Sequence, residues 1–194
     1  MKKIKIKLLL LIGVIISMVG CDTSLNEKVF SSITEQNYNY SEADFGPNIA
    51  GAYIALRYNY VGSYWQSQEL SGCCIVTPAN STGWDDGGIY KRFHFHNWNS
   101  ELGQIRDLWN NYYAGVVLCN SAINRVENDI IKAPSEQLKE EGLAELKVLR
   151  AYYYWVLMDN FGDIPLVTTL SQEFPEKASR TKVYDFLIDE LTES

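Results

Sequence analysis

Eight apolar residues recur at helical spacing from Ile105 to Val126: Ile105, Leu108, Trp109, Tyr112, Val116, Cys119, Ile123 and Val126. Steps of three and four put them on one stripe of an α-helix, about six turns long. Such a stripe has to be covered by another element, and the sequence supplies one directly. After the break Lys132-Ala133-Pro134, Ser135 opens a second run whose inner face is Leu138, Leu146, Leu149, Tyr153, Val156, Leu157 and Asn160. That run ends at Phe161-Gly162-Asp163-Ile164-Pro165, a Gly and Pro stop. Two long helices joined by a short link form an antiparallel pair, which predicts an all-α fold.

The flanking segments extend this pattern. A helix is expected from about Glu42 to Tyr58, capped by Ser41, with Phe45, Ile49, Ala52, Tyr53 and Leu56 inward and Pro47 tolerated in its first turns. Ser100 is expected to cap the helix that carries the long stripe. A last helix begins near Lys182, with Val183, Phe186, Leu187 and Leu191 inward. Stacked helical hairpins of this kind build tetratricopeptide-like α-solenoids, although no 34-residue period is present. Residues 59–100 have no helical period and read as a long irregular loop. The final helix stops at Thr192-Glu193-Ser194 without a cap or a following partner, so a truncated chain is expected.

The N-terminus constrains location. Lys2, Lys3, Lys5 and Lys7 precede an apolar stretch from Leu8 to Val19, whose 12 residues are too few to span a bilayer as a helix. Met18-Val19-Gly20-Cys21 then resembles a bacterial lipobox. Residues 1–20 are therefore expected to be a lipoprotein signal peptide, Cys21 the lipidated first residue, and the polar stretch to residue 41 a tether. The helical domain is assigned to residues 42–194. Without residues 1–20 the chain holds thirteen basic residues against twenty-four acidic ones, net −11, which argues against nucleic acid as a partner. Membrane attachment is expected through the lipid anchor rather than a basic patch.

Residues that invite a chemical reading mostly have a structural one. Asp163 fits a helix stop, and Arg150 an inward guanidinium that needs a carboxylate or carbonyl. Asp85 and Asp86 are adjacent on a Gly-rich turn and point in different directions, so turn formation, calcium coordination or sugar hydroxyl binding fits them better than an acid–base pair across a glycosidic bond. His94 and His96, two apart as on one strand face, lack a third ligand, so no metal and no cofactor is expected. Cys119 on the apolar stripe reads as a small core residue, while Cys73 and Cys74 leave the pairing state open.

Several segments together resemble the SusD/RagB family of outer-membrane lipoproteins. Leu149-Arg150-Ala151-Tyr152-Tyr153-Tyr154 followed by Phe161-Gly162-Asp163-Ile164-Pro165-Leu166-Val167 looks like the family's Arg-Ala-x-x-Tyr helix and Phe-Gly-Asp-x-Pro-Leu-Val block. Trp109 and Tyr113 with Asn120, Arg180 to Leu191, and Gly51-Ala52-Tyr53 resemble further family segments. The resemblance implies a SusD-type fold and a non-enzymatic, cell-surface role: binding glycans or other nutrients and delivering oligosaccharides to a SusC-like TonB-dependent outer-membrane transporter. The alternative is a structural or adaptor lipoprotein of the transporter complex without its own ligand site. A surface glycoside hydrolase is disfavoured by the lack of a placed carboxylate pair.

The aromatics of the long loop are where a ligand is expected. Trp84, Asp85, Tyr90 and Trp98, with Asn80 secondary, form the candidate contact set, because sugar C–H faces stack on rings and hydroxyls pair with Asp and Asn. For Trp98 the competing expectation is that it pins the loop onto the helix that follows.

Overall fold

The computed structural model describes residues 37–59, 62–76, 85–170 and 175–193. The expected signal peptide, Cys21 and most of the expected tether lie outside them. Residues Tyr40–Ser194 form a unit of their own. Its helices are α1 (Phe45–Ala52), α2 (Ser63–Ser71), α3 (Ile89–His94), α4 (Gly103–Glu127), α5 (Glu136–Phe161) and α6 (Arg180–Glu193). Two residue pairs, β1 (Ile164–Pro165) and β2 (Lys177–Ala178), bridge antiparallel, with Ile164 opposite Ala178.

The predicted hairpin is the centre of the fold. Ring contacts Trp109–Phe161, Tyr113–Tyr154 and Tyr112–Tyr153 run in opposite sequence directions along α4 and α5, so the pair is antiparallel. Leu108, Tyr112, Val116, Cys119, Ile123 and Val126 are all buried in one cluster with Leu146, Leu149, Tyr153, Val156 and Leu157. Gly115 lets the helices and Ala55 come together: a Cβ there would lie 2.8 Å from the Tyr153 ring and 3.0 Å from the Ala55 Cβ. Helix α6 then packs antiparallel on α5, through Arg150–Glu190 and Tyr154–Phe186.

The caps explain the boundaries. Ser135 Oγ accepts the Leu138 N–H at 3.2 Å and starts α5, as its sequence position predicts. Gly162, at φ 74°, ends it. Asp163 does more than stop a helix: its carboxylate accepts the Arg180 N–H at 2.9 Å and so caps the start of α6, 17 residues on. Arg150 is the inward guanidinium expected. Ser41 donates its N–H and Oγ–H to the Asp44 carboxylate at 2.7 and 2.9 Å, fixing the 3-10 turn Glu42–Asp44 that leads into α1.

Five expectations are corrected. The helix predicted to Tyr58 keeps α geometry only to Ala52 and continues as a 3-10 turn over Tyr53–Asn59. Ser100 does not cap α4, whose N-cap position is Leu102. Tyr53, Leu138 and Leu191 are exposed rather than inward. The long loop contains two helices, α2 and α3, packed together through Leu70, Phe93 and Leu102 as a second small core. His94 and His96 are not on a strand: His94 ends α3 and His96 follows in a turn at φ 53°.

Candidate functional site

Helix α2, the turn after α3, the first turns of α4 and the end of α5 enclose a cleft of about 550 Å³. Its aromatic walls are Trp98, Trp109 and Phe161, and its polar side chains include Gln68, Asn160 and Arg106. Each wall is fixed from behind. Trp98 stacks on the fully buried Phe93 at 5.8 Å between centroids and 28° between planes, while remaining 43% exposed. Trp109 meets Phe161 edge-on at 5.0 Å and Tyr113 at 4.7 Å. Gln68 Nε2 donates to Asn160 Oδ1 at 2.8 Å, and Asn160 Nδ2 donates to the Val156 carbonyl at 2.8 Å, so the amide pair is held in register. Half-buried aromatic faces with a few fixed polar groups, in a cleft of this size, suit a ring-shaped ligand that carries hydroxyls.

The structure separates the residues expected to act together. Trp98 lines the cleft and stacks on Phe93 of α3, the helix before it, rather than pinning the loop onto the helix that follows. Tyr90 lines a different, smaller hollow with Phe95 and Leu70, and its hydroxyl accepts from Gln66 Nε2 at 3.1 Å. Asp85 accepts the Gly87 N–H at 2.8 Å, closing a turn. Asp86 caps α3 by accepting the Tyr90 and Gly88 N–H groups at 2.6 and 3.1 Å, and the Tyr90 bond above all holds its carboxyl below the usual carboxylate range. Asn80 and Trp84 lie outside the described residues.

Sequence reasoning missed Trp109, Phe161, Gln68, Asn160 and Arg106 as cleft residues. Trp109 sits on the long apolar stripe and reads as core, yet it is only half-buried. The polar members come from three separate helices, and no spacing rule joins them. A second, more apolar groove of about 800 Å³ runs between α5 and α6, lined by Val148, Trp155, Tyr184, Ile188 and Leu191.

Comparison with known proteins fits this architecture. Residues 26–192 match the SusD-like family described as "Starch-binding associating with outer membrane". SusD-like protein P25 of Formosa agariphila is 26% identical over 166 residues, which cover 79% of this chain and 30% of that protein. SusD-like protein P2 of the same organism is 24% identical over 198 residues, covering 98% of this chain and 37% of the relative. Among solved structures, a laminarin binding SusD-like protein superposes with a TM-score of 0.67 at 22% identity, covering 79% of this chain and 33% of that one. Surface glycan-binding protein A from Bacteroides fluxus gives 0.62 at 22% identity, over 79% of this chain and 33% of its own. The chain thus spans about a third of the length of the curated relatives it matches. With the match running from residue 26 to residue 192 and the helical order as described, the chain belongs to the SusD-like family.

Proposed function

We propose that this chain is part of a non-enzymatic, lipid-anchored protein of the outer membrane, held by Cys21 at the cell surface, that binds oligosaccharides and delivers them to a SusC-like TonB-dependent transporter. The observation that supports binding most directly is the cleft in which Trp98, Trp109 and Phe161 face the fixed amides of Gln68 and Asn160. Stacked sugar faces and amide-bonded hydroxyls are the contacts such a wall can make. The names of two structural neighbours, a laminarin binding protein and a surface glycan-binding protein, point the same way. Trp98 is the proposed centre of the contact, and Trp84 and Asn80, from the same connection between α2 and α4, are proposed as further contacts, whereas Tyr90 and Asp85 face elsewhere.

The test is calorimetric titration of the full-length protein with malto-, laminari- and xylogluco-oligosaccharides. Trp98→Ala should weaken binding by about 1 kcal/mol, one aromatic contact, with helix content unchanged. Should no oligosaccharide bind while the transporter still co-purifies, the adaptor role replaces the binding one. Cys21→Ser should release the protein from the membrane fraction, and unchanged partitioning would remove the anchor.

A further inference from the structure

The cleft has an electrostatic character at odds with the rest of the chain. Seventeen basic residues stand against twenty-four acidic ones in the whole sequence, yet among the described residues no Asp or Glu lines the cleft and the one charged side chain there is Arg106. Arg106 occupies the fourth position of α4. A cation in a helix's first turn opposes the positive end of the macrodipole, so helix electrostatics do not account for it.

Neither does pairing. The ion pairs among the described residues join Lys139 to Asp129, Arg150 to Glu190, Lys177 to Asp163 and Arg180 to Asp159. Arg106 is in none of them. The guanidinium–ring contacts among those residues use Arg57, Arg125 and Arg150, so Arg106 is not stacked on a ring either. Asp107, the next residue, is turned about 100° around the helix axis and does not line the cleft. What remains is an exposed guanidinium, without an ion-pair or ring partner among the described residues, beside Trp98, Trp109 and the Gln68–Asn160 amides.

Resting on the oligosaccharide-binding reading above, we infer that this cleft selects glycans bearing an anionic group, a uronate carboxylate or a sulfate ester, which pairs with Arg106. The guanidinium fork matches the two oxygens of either group with parallel N–H···O bonds, while the tryptophans take the sugar face. A neutral sugar could use the rings and amides but would leave the cation unanswered. The described wall holds no carboxylate, which lowers the repulsion that an acidic protein would otherwise present to an acidic chain.

The experiment titrates the full-length protein calorimetrically with three oligosaccharide series of matched length: oligogalacturonates, carrageenan oligosaccharides and neutral laminari-oligosaccharides. One or both acidic series should bind about tenfold or more tighter than the neutral series, the gain of one charge-assisted contact. Whichever acidic series does so identifies the group. That advantage should shrink with added salt. Arg106→Gln should abolish it without changing helix content, and Arg106→Lys should restore part of it. Comparable affinity for all three series, or an acidic preference that survives Arg106→Gln, overturns the inference and leaves oligosaccharide binding standing. Absence of binding in every series, with a folded protein, fails both readings together.

Discussion

Arg150 and Glu190 form a forked ion pair between α5 and α6: Nη2 lies 2.7 Å from Oε1 and Nε 2.8 Å from Oε2. The side chains are only 6% and 11% exposed, and Arg150 Nη1 donates a third bond to Asn120 Oδ1 at 2.8 Å, so α4 is tied in as well. Three helices meet at one guanidinium. Glu190→Ala should therefore cost about 3–5 kcal/mol, because it strands a buried cation. Replacing both partners with leucine should recover much of that loss, since a packed apolar pair often matches a buried ion pair. Chemical denaturation of the full-length variants measures both values. A Glu190→Ala protein as stable as the parent would show that the pair contributes nothing.

Two buried glycines face opposite fates on substitution by alanine. At Gly115 the new methyl would meet the Tyr153 ring at 2.8 Å, and that ring is held by its hydroxyl donating to the Ala52 carbonyl at 2.6 Å. Nothing there can yield, so Gly115→Ala should destabilise by about 1–3 kcal/mol despite better helix propensity. At Gly142 the obstacles are the tips of Ile49 and Phe45, both at 2.7 Å, and flexible side-chain ends can turn aside. Gly142→Ala should be within about 1 kcal/mol of neutral, its propensity gain offsetting the repacking. Thermal unfolding of the two variants decides the contrast, and equal losses would refute it.

Alkaline pH should unfold this protein through its tyrosines. Burial pushes the phenols of Tyr112, Tyr113 and Tyr153 well above the ordinary value, and that of Tyr154 up to about 12. Each group gives up its proton more readily in the unfolded chain. Stability is thus fully present below about pH 10, the unfolded value, and lost as pH rises through the folded values. Denaturation midpoints should be level to about pH 9.5 and then fall faster than the ~1.4 kcal/mol per pH unit of a single group. Tyr154→Phe should soften that fall, but it should also weaken the fold at neutral pH by about 1–3 kcal/mol. The reason is that its hydroxyl donates to the Val167 carbonyl at 2.7 Å and accepts the Val167 N–H at 2.8 Å. A stability flat to about pH 11.5 would contradict the argument.

The long helices were legible because large apolar residues fell on one stripe and because Ser135 and Gly162 mark an end in chemistry, not only in pattern. Helix α2 was not legible for a related reason. Its buried residues are Ser63, Ser67 and Leu70, so the inward face is largely polar and the binary pattern vanishes. The Ser67 hydroxyl fits there because its Oγ donates to the Tyr64 carbonyl at 2.8 Å, a bond invisible in sequence. Leu138 and Leu191 kept the helical period but lie near helix ends, exposed to solvent. The cleft was half legible: Trp98 announced itself by falling in a stretch without periodicity, whereas Trp109 was hidden in a stripe that also forms the core. Gln68, Arg106 and Asn160 become neighbours of one cleft only through the packing of α2, α4 and α5, which is a tertiary fact.

The clamp between Asp163 and the Arg180 N–H has an evolutionary side. With Ile164 bridged to Ala178 and Val167 held by Tyr154, both ends of the connection from α5 to α6 are fastened independently of what lies between them. An insertion between these fastened ends should therefore cost little, since closing a longer loop adds only about 0.6 kcal/mol per doubling. The helix angle would be inherited while the loop diverges, which makes this connection a place where relatives can acquire new surface without renegotiating the fold.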